Sequence, residues 1–251
     1  MIIFPVAKIN IGLQILSKRN DGFRNIYTFF YPFNDLKDIL EIVESKSGQT
    51  NIFISGIDLE GNSRDNLCIK AYNLLSKEYD LPPVDIYLHK NIPVGAGLGG
   101  GSSDAASTLI LLNKMFNLNI CNENLKKIAG MLGSDCTFFI DSKPAFASSR
   151  GEVLEEVDFN LNKKIIVKTP DIHISTKEAY SLVTPNPDVP DLKTLVFDDI
   201  KTWRANIKND FEEVIFPLYP EIAMIKEEMY ANGAIYASMS GSGSAVYGIF
   251  E

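Results

Sequence analysis

The chain has 251 residues, 45% of them apolar and 22% charged, with a formal net charge of −8 and an isoelectric point near 4.9. That is enough chain for one large core or two modest ones, and so acidic a surface argues against nucleic acid or anionic lipid as a partner. Cys68, Cys121 and Cys136 are scattered without C-x-x-C or metal-type spacing, which predicts reduced thiols and a cytoplasmic protein, and no window approaches the roughly eighteen uncharged apolar residues of a membrane span.

The opening MIIFPVAKINIGLQILSKR has no basic residue ahead of its apolar part, and Lys8 interrupts that part, so it does not read as a secretory leader. Residues 2–16, rich in Ile, Val and Phe, read as extended structure, and DGFRN at 21–25 as a turn. Short strands are expected at 38–45, 51–56 and 84–89. Between the last two, residues 66–79 place Leu67, Ala71, Leu74 and Leu75 on one helical face, with Asn66 as a cap or, alternatively, as a residue lining a ligand pocket. Beyond residue 100, Ala105, Leu109, Leu112 and Phe116 recur at helical spacing, and 122–133 predicts another helix stopped by Gly133. A turn at 141–144, strands at 145–149 and 163–169, and a Pro/Asp-rich loop at 184–192 follow. Helices near 207–215 and 220–232 and two strands around a Gly/Ser turn close the chain. This order is that of an α+β protein divided near residue 155, into 1–154 and 155–251.

The most informative stretch is PVGAGLGGGSSDAAS at 93–107, five glycines in fifteen residues directly before a helix. A helix N-terminus carries unpaired N–H groups and partial positive charge. Glycines ahead of it let the main chain approach a ligand without a Cβ in the way. Together they suit phosphate. Ser102 and Ser103 offer a cap, or a hydroxyl for phosphate or magnesium. The competing explanation is a plain serine-capped turn. The Walker pattern is absent. GAGLGG satisfies G-x-G-x-x-G, but residues 105–122 hold no acid to grip a dinucleotide ribose. The HRD and DFG strings of protein kinases are missing too.

The string P-x-G-A-G-L-G-G-G-S-S-D resembles the nucleotide-binding motif of the GHMP kinases, which phosphorylate small metabolites with ATP. PVAKINIGLQILSKRNDGF near the start and SMSGSGSAVYGIF near the end resemble the family's first and third motifs. The resemblance thus spans nearly the whole chain. It implies the two-domain GHMP kinase fold. The N-terminal domain is like domain 2 of ribosomal protein S5 and holds ATP; the C-terminal domain is ferredoxin-like and contributes to the substrate cleft. GSDCTFF and SSRGEVLE narrow the resemblance to the branch acting in non-mevalonate isoprenoid-precursor synthesis. There ATP, carrying Mg2+, phosphorylates the 2-hydroxyl of a cytidine-diphosphate sugar alcohol. The alternatives are another GHMP kinase, of the homoserine or mevalonate type, and a non-catalytic nucleotide-binding relative.

What the resemblance implies for individual residues follows. Asp135 aligns with the catalytic aspartate and Lys8 with the catalytic lysine. A carboxylate and an ammonium are what phosphoryl transfer to an alcohol asks for, the one to accept a proton, the other to offset phosphoryl charge. Asn10 aligns beside them. Phe23 and Tyr180 align with two aromatics that sandwich cytosine, and Phe30 with one beside the sugar alcohol. Arg24 stands where the family commonly has His, and Phe23 where it has Tyr. Around ATP the resemblance places Pro93, Gly95, Ala96, Gly97 and Leu98, then Gly99, Gly100, Gly101, Ser102 and Ser103. Lys90, just upstream, is expected to approach ATP or else to be a solvated strand end. Asp104 is a candidate aid to magnesium, though no metal ligand is assigned and no permanent metal is expected. Gly241 and Gly243 would let the third-motif turn pack near the nucleotide loop. His89 and His173 form no ligand pair. The expected partners are small molecules only, with a monomer or weak homodimer as the assembly.

Overall fold

In the computed structural model, which describes residues 1–58 and 65–251, the strands come first. These are β1 (Ile2–Ile3), β2 (Val6–Lys18), β3 (Arg24–Lys37), β4 (Ile39–Glu44) and β5 (Asn51–Gly56). Then follow α1 (Leu67–Tyr79), β6 (Val84–Lys90), α2 (Gly100–Met115), α3 (Asn122–Leu132) and a 3-10 helix over Ser134–Ile140. The rest of the chain forms β7 (Ala145–Ser149), β8 (Val153–Glu156), β9 (Lys164–Lys168), α4 (Thr176–Leu182), α5 (Leu192–Phe197) and α6 (Ile200–Asn206). It ends with α7 (Asp210–Ile215), α8 (Pro220–Ala231), β10 (Tyr236–Met239) and β11 (Val246–Phe250). This is the mixed α+β content expected.

The chain forms two compact units. One comprises Met1–Ala7, Asn34–Val94 and Gly99–Ser142. The other comprises Lys8–Phe33, Gly95–Leu98 and Lys143–Glu251. Their seam does not fall at residue 155 alone. β2 and β3, from the start of the chain, share a four-stranded sheet of order β2-β3-β7-β8 with strands from beyond residue 144. Sheet pairing, a long-range property, sets the grouping.

In the first unit the sheet runs β1-β4-β6-β5, with β4/β6 antiparallel and β5/β6 parallel. Period-two alternation decides its faces. Leu40 opposes Leu88 and Ile42 opposes Ile86, all buried, while Glu41 opposes Tyr87 on the other face. α1 begins at the Asn66 cap, whose Oδ1 accepts the Cys68 amide at 2.9 Å, and it buries Cys68, Ala71, Tyr72 and Leu75. Gly133 follows α3 in extended conformation rather than as a left-handed stop, and the chain passes straight into the 3-10 helix.

In the second unit a three-stranded antiparallel sheet, β10-β11-β9, packs against helices. Phe211, Ile215, Ile222, Met229, Ala237 and Val246 belong to one buried cluster there with Leu13, Ile15 and Ile26. β3 pairs with β7 so that Phe29 opposes Phe146, their rings 4.6 Å apart.

Candidate active site

The glycine stretch is the connection from β6, which ends at Lys90, to α2, which starts at Gly100. Two glycines are required by the backbone. Gly97 has φ +81, and a Cβ there would lie 1.9 Å from the Ser240 carbonyl oxygen. Gly99, at φ 74, is the left-handed residue at the N-cap of α2. Ser102 and Ser103 do not cap; they lie inside the first turn, where the Ser103 amide donates to the Gly99 carbonyl at 2.9 Å. The amides of Gly100, Gly101 and Ser102 therefore precede the first intrahelical bond, at the positive end of a 16-residue helix. Ala96 and Leu98 turn their side chains inward and are buried. Their carbonyls accept the Ala245 and Lys8 amides at 3.0 and 2.9 Å. Any contact they make with a nucleotide runs through the main chain.

The second unit assembles a polar cluster on this loop. Lys8 is 3% exposed. Its Nζ donates to Asn10 Oδ1 at 2.5 Å and to the Gly97 carbonyl at 3.0 Å, and stands 5.0 Å from the centre of the Phe30 ring. β2 is why: alternate residues of one strand face the same way, so Lys8 and Asn10 project together. Asn10 Nδ2 donates to Thr28 Oγ1 at 3.0 Å, and its amide to Ser240 Oγ at 3.2 Å. Ser240 Oγ in turn donates to the Gly97 carbonyl at 2.9 Å. Lys8, Asn10, Phe30, Gly97 and the Ser240 turn are thus brought together. Thr28, Ser240 and Asn209, whose Nδ2 donates to the Met239 and Gly241 carbonyls at 2.8 Å each, were not foreseen. No local motif marks Thr28 or Asn209, because each acts across a long chain separation; Ser240 lies within SMSGSGSAVYGIF, but its contacts with Asn10 and Gly97 are long-range.

His173 is a further unforeseen neighbour. A Cβ on Gly95 would lie 3.0 Å from its Cε1, so the exposed imidazole sits against the loop. Gly241 and Gly243 do lie in the turn packed on the loop, since a Cβ on Gly241 would lie 3.2 Å from the Gly97 Cα.

Of the aromatics expected to hold a pyrimidine, Phe23 is 52% exposed, with the Arg150 guanidinium 4.9 Å from its ring centre. Tyr180, on α4, packs edge-on to Phe211 at 4.9 Å. Arg24 joins the segments by donating from Nη2 to the Tyr180 carbonyl at 3.4 Å, while its buried Nε has no partner among the described residues. Asp135 lies in the first turn of the 3-10 helix, half-buried, in the other unit.

Lys90 is not a solvated strand end. It is 1% exposed, with its Nζ on Asp38 Oδ2 and, at 2.7 Å, on Asp104 Oδ2. Burial opposes its charge, but the two carboxylates outweigh that and raise its pKa. Asp104, the candidate magnesium aid, is likewise committed: burial and the neighbouring Asp38 push its carboxyl up to about 7 against the pull of Lys90. Among the described residues no cluster of three His, Cys, Asp or Glu could hold a metal ion, and no helix is long and apolar enough to cross a membrane.

Comparison with known proteins identifies the family. The GHMP kinases N terminal domain matches residues 66–143, and the GHMP kinases C terminal domain residues 190–251. The chain is 47% identical over its whole length to the 4-diphosphocytidyl-2-C-methyl-D-erythritol kinase of Bacteroides fragilis, covering 92% of it. It is 50% identical, again over its whole length, to the enzyme of the same name from Azobacteroides pseudotrichonymphae, covering 94%. A crystal structure of 4-(cytidine 5'-diphospho)-2C-methyl-D-erythritol kinase superposes with a TM-score of 0.84 at 31% identity, over 99% of this chain and 90% of that one. The mevalonate kinase of Methanococcus jannaschii shares the fold, with a TM-score of 0.71 at 15% identity over 100% of this chain and 90% of that one. By these matches over both halves, the chain belongs to the GHMP kinases, in the branch of the 4-diphosphocytidyl-2-C-methyl-D-erythritol kinases.

Proposed function

We infer that this chain transfers the γ-phosphoryl group of ATP to the 2-hydroxyl of 4-diphosphocytidyl-2-C-methyl-D-erythritol, in non-mevalonate isoprenoid-precursor synthesis. The observation that carries the assignment is full-length identity near one half to relatives of that name. The buried Lys8 on the carbonyl of Gly97 supports the site chosen for it.

In this reading the amides at the start of α2 receive the ATP phosphates, and Lys8 offsets charge on the transferring group. Asp135 accepts the proton of the substrate's 2-hydroxyl. That substrate oxygen bonds to the γ-phosphorus as the bond from phosphorus to the β–γ bridging oxygen breaks, and ADP leaves. Asn10 holds Lys8, and Phe30 shapes the sugar-alcohol end. Phe23 and Tyr180 stack the cytosine, and Arg24 supplies a donor to the nucleotide. Mg2+ arrives with ATP and neutralises phosphate charge. The half-buried Ser102 hydroxyl is the hard oxygen that suits it at the loop, Asp104 being held by Lys90. The enzyme works in the cytoplasm on small molecules, as a monomer or weak homodimer.

The test is turnover of purified protein with the cytidine substrate, homoserine and mevalonate in parallel, with and without Mg2+. Only the first should react, and only with the metal. Asp135→Asn should lower kcat by about 10³ while leaving affinity for an unreactive ATP analogue within about threefold. Turnover of homoserine alone refutes the substrate, and undiminished turnover in the variant removes Asp135 from the chemistry.

A further inference from the structure

Three ionisable side chains meet in the interior of the first unit, and phosphoryl transfer as described uses none of them. Asp38 is 0% exposed, Lys90 1% and Asp104 2%. Asp38 Oδ1 accepts the Asn91 and Ile92 amides at 2.6 and 2.8 Å, and Asp38 Oδ2 accepts from Lys90 Nζ. Lys90 Nζ reaches across to Asp104 Oδ2. The Cys68 thiol, raised by burial, faces the group from α1, and Thr108 Oγ1 donates to the Asp104 carbonyl at 2.8 Å.

We propose that Asp38, Lys90 and Asp104 form a clasp that sets the geometry of the phosphate loop, with Lys90 acting through the two carboxylates and not as an ATP ligand. Their positions in the chain are the reason. Lys90 ends β6 and Asp104 lies in the second turn of α2, so their ion pair ties together the strand and the helix that flank the loop over residues 91–99. Asp38, just before β4, holds the first two amides of that loop. A Cβ on Gly100 would lie 3.2 Å from Lys90 Nζ, which places the ammonium directly under the helix start. Burying three ionisable groups is costly, and apolar residues would fill the space with less loss. What apolar residues cannot do is fix the amides at 91 and 92 and the first turn of α2 to one point. Asp104 Oδ1 has no partner among the described residues, so removing this carboxyl strands no further donor except the ammonium, which keeps Asp38.

This inference rests on the reading of the loop as the ATP site, and its test separates the two. Binding of an unreactive ATP analogue is measured by titration calorimetry for the wild type, Asp104→Ala and Asp104→Asn. The steady-state KM for ATP and for the acceptor is measured alongside. The clasp predicts a loss of analogue affinity of tenfold or more in Asp104→Ala, with the acceptor KM within twofold. Asp104→Asn, which still accepts from Lys90, should recover most of it. A direct Lys90–ATP contact predicts the reverse, because a released ammonium would bind the analogue as well or better; that result overturns the clasp and leaves the ATP site standing. A wild type that does not bind the analogue overturns both.

Discussion

Residues 95–101 run into a helix of 16 residues, whereas residues 240–244 turn directly from β10 into β11. Both segments are rich in Gly and Ser, and both contain left-handed glycines. Their polar groups have opposite fates. In the turn, the Ser240 amide donates to the Ala245 carbonyl at 2.8 Å, and the Gly243 amide to the Ser240 carbonyl at 3.0 Å. Asn209 binds the Met239 and Gly241 carbonyls, and Ser240 and Ser244 are buried. The loop instead ends in amides that a helix start leaves without intrahelical acceptors. Glycine content alone therefore does not fit a segment to receive phosphate; the element it leads into does. The turn's role is to brace: its Ser240 carbonyl and hydroxyl both meet Gly97.

The strongest way to break this distinction is Gly97→Ala. The substitution puts an L side chain at φ +81 and a methyl within 1.9 Å of a main-chain oxygen, which no rotamer can relieve. Strain and overpacking together should cost roughly 3 kcal/mol or more. Thermal unfolding should show a fall in midpoint of many degrees, with turnover lost in step. A variant with wild-type melting would mean that loop and turn do not brace each other.

Ser240→Ala probes the same contact from the other side, more gently. The Gly97 carbonyl keeps Lys8 as a donor, but the buried Asn10 amide loses its acceptor. An unsatisfied buried amide costs about 1–3 kcal/mol. Urea unfolding should report that loss, and the KM for ATP should rise a few-fold as the loop loosens. If stability falls and the KM for ATP does not move, the brace is structural alone.

Much of this was legible in advance, for reasons that also explain what was not. The loop, Lys8 and the Asn66 cap announce themselves locally, through glycine spacing, a charge in an apolar run, and a polar residue before a helical stripe. The expected strands at 38–45, 51–56 and 84–89 and the final hairpin all formed. β3 did not show, because RNIYTFFYPFNDLK mixes aromatics, Pro32 and polar residues without clean alternation; it is held by pairing with β7. α4, α5 and α6, of 7, 6 and 7 residues, are too short for a helical period to register. Side-chain caps at Ser175, Asp191 and Asp199 start them. The Asp38–Lys90–Asp104 cluster was invisible as a cluster. Its members are separated by 52 and 14 residues, and only the β4–β6 pairing and the packing of α2 bring them together.

The smallest expected effect discriminates most finely within the loop. Gly101 lies in the first turn of α2, where its φ is ordinary and the nearest atom to an added Cβ is Leu67 Cδ1 at 3.8 Å. Gly101→Ala is therefore free of strain, and the gain in helix propensity should raise stability by up to about 1 kcal/mol. A methyl at this turn still narrows the approach to its amides, so the KM for ATP should rise about two- to fivefold while the melting temperature climbs slightly. This opposition separates it from Gly97→Ala, where stability and activity fall together. Should the stability gain come with an unchanged KM for ATP, the phosphates approach the turn from a side that residue 101 does not face, and the cradle contracts to the amides before it.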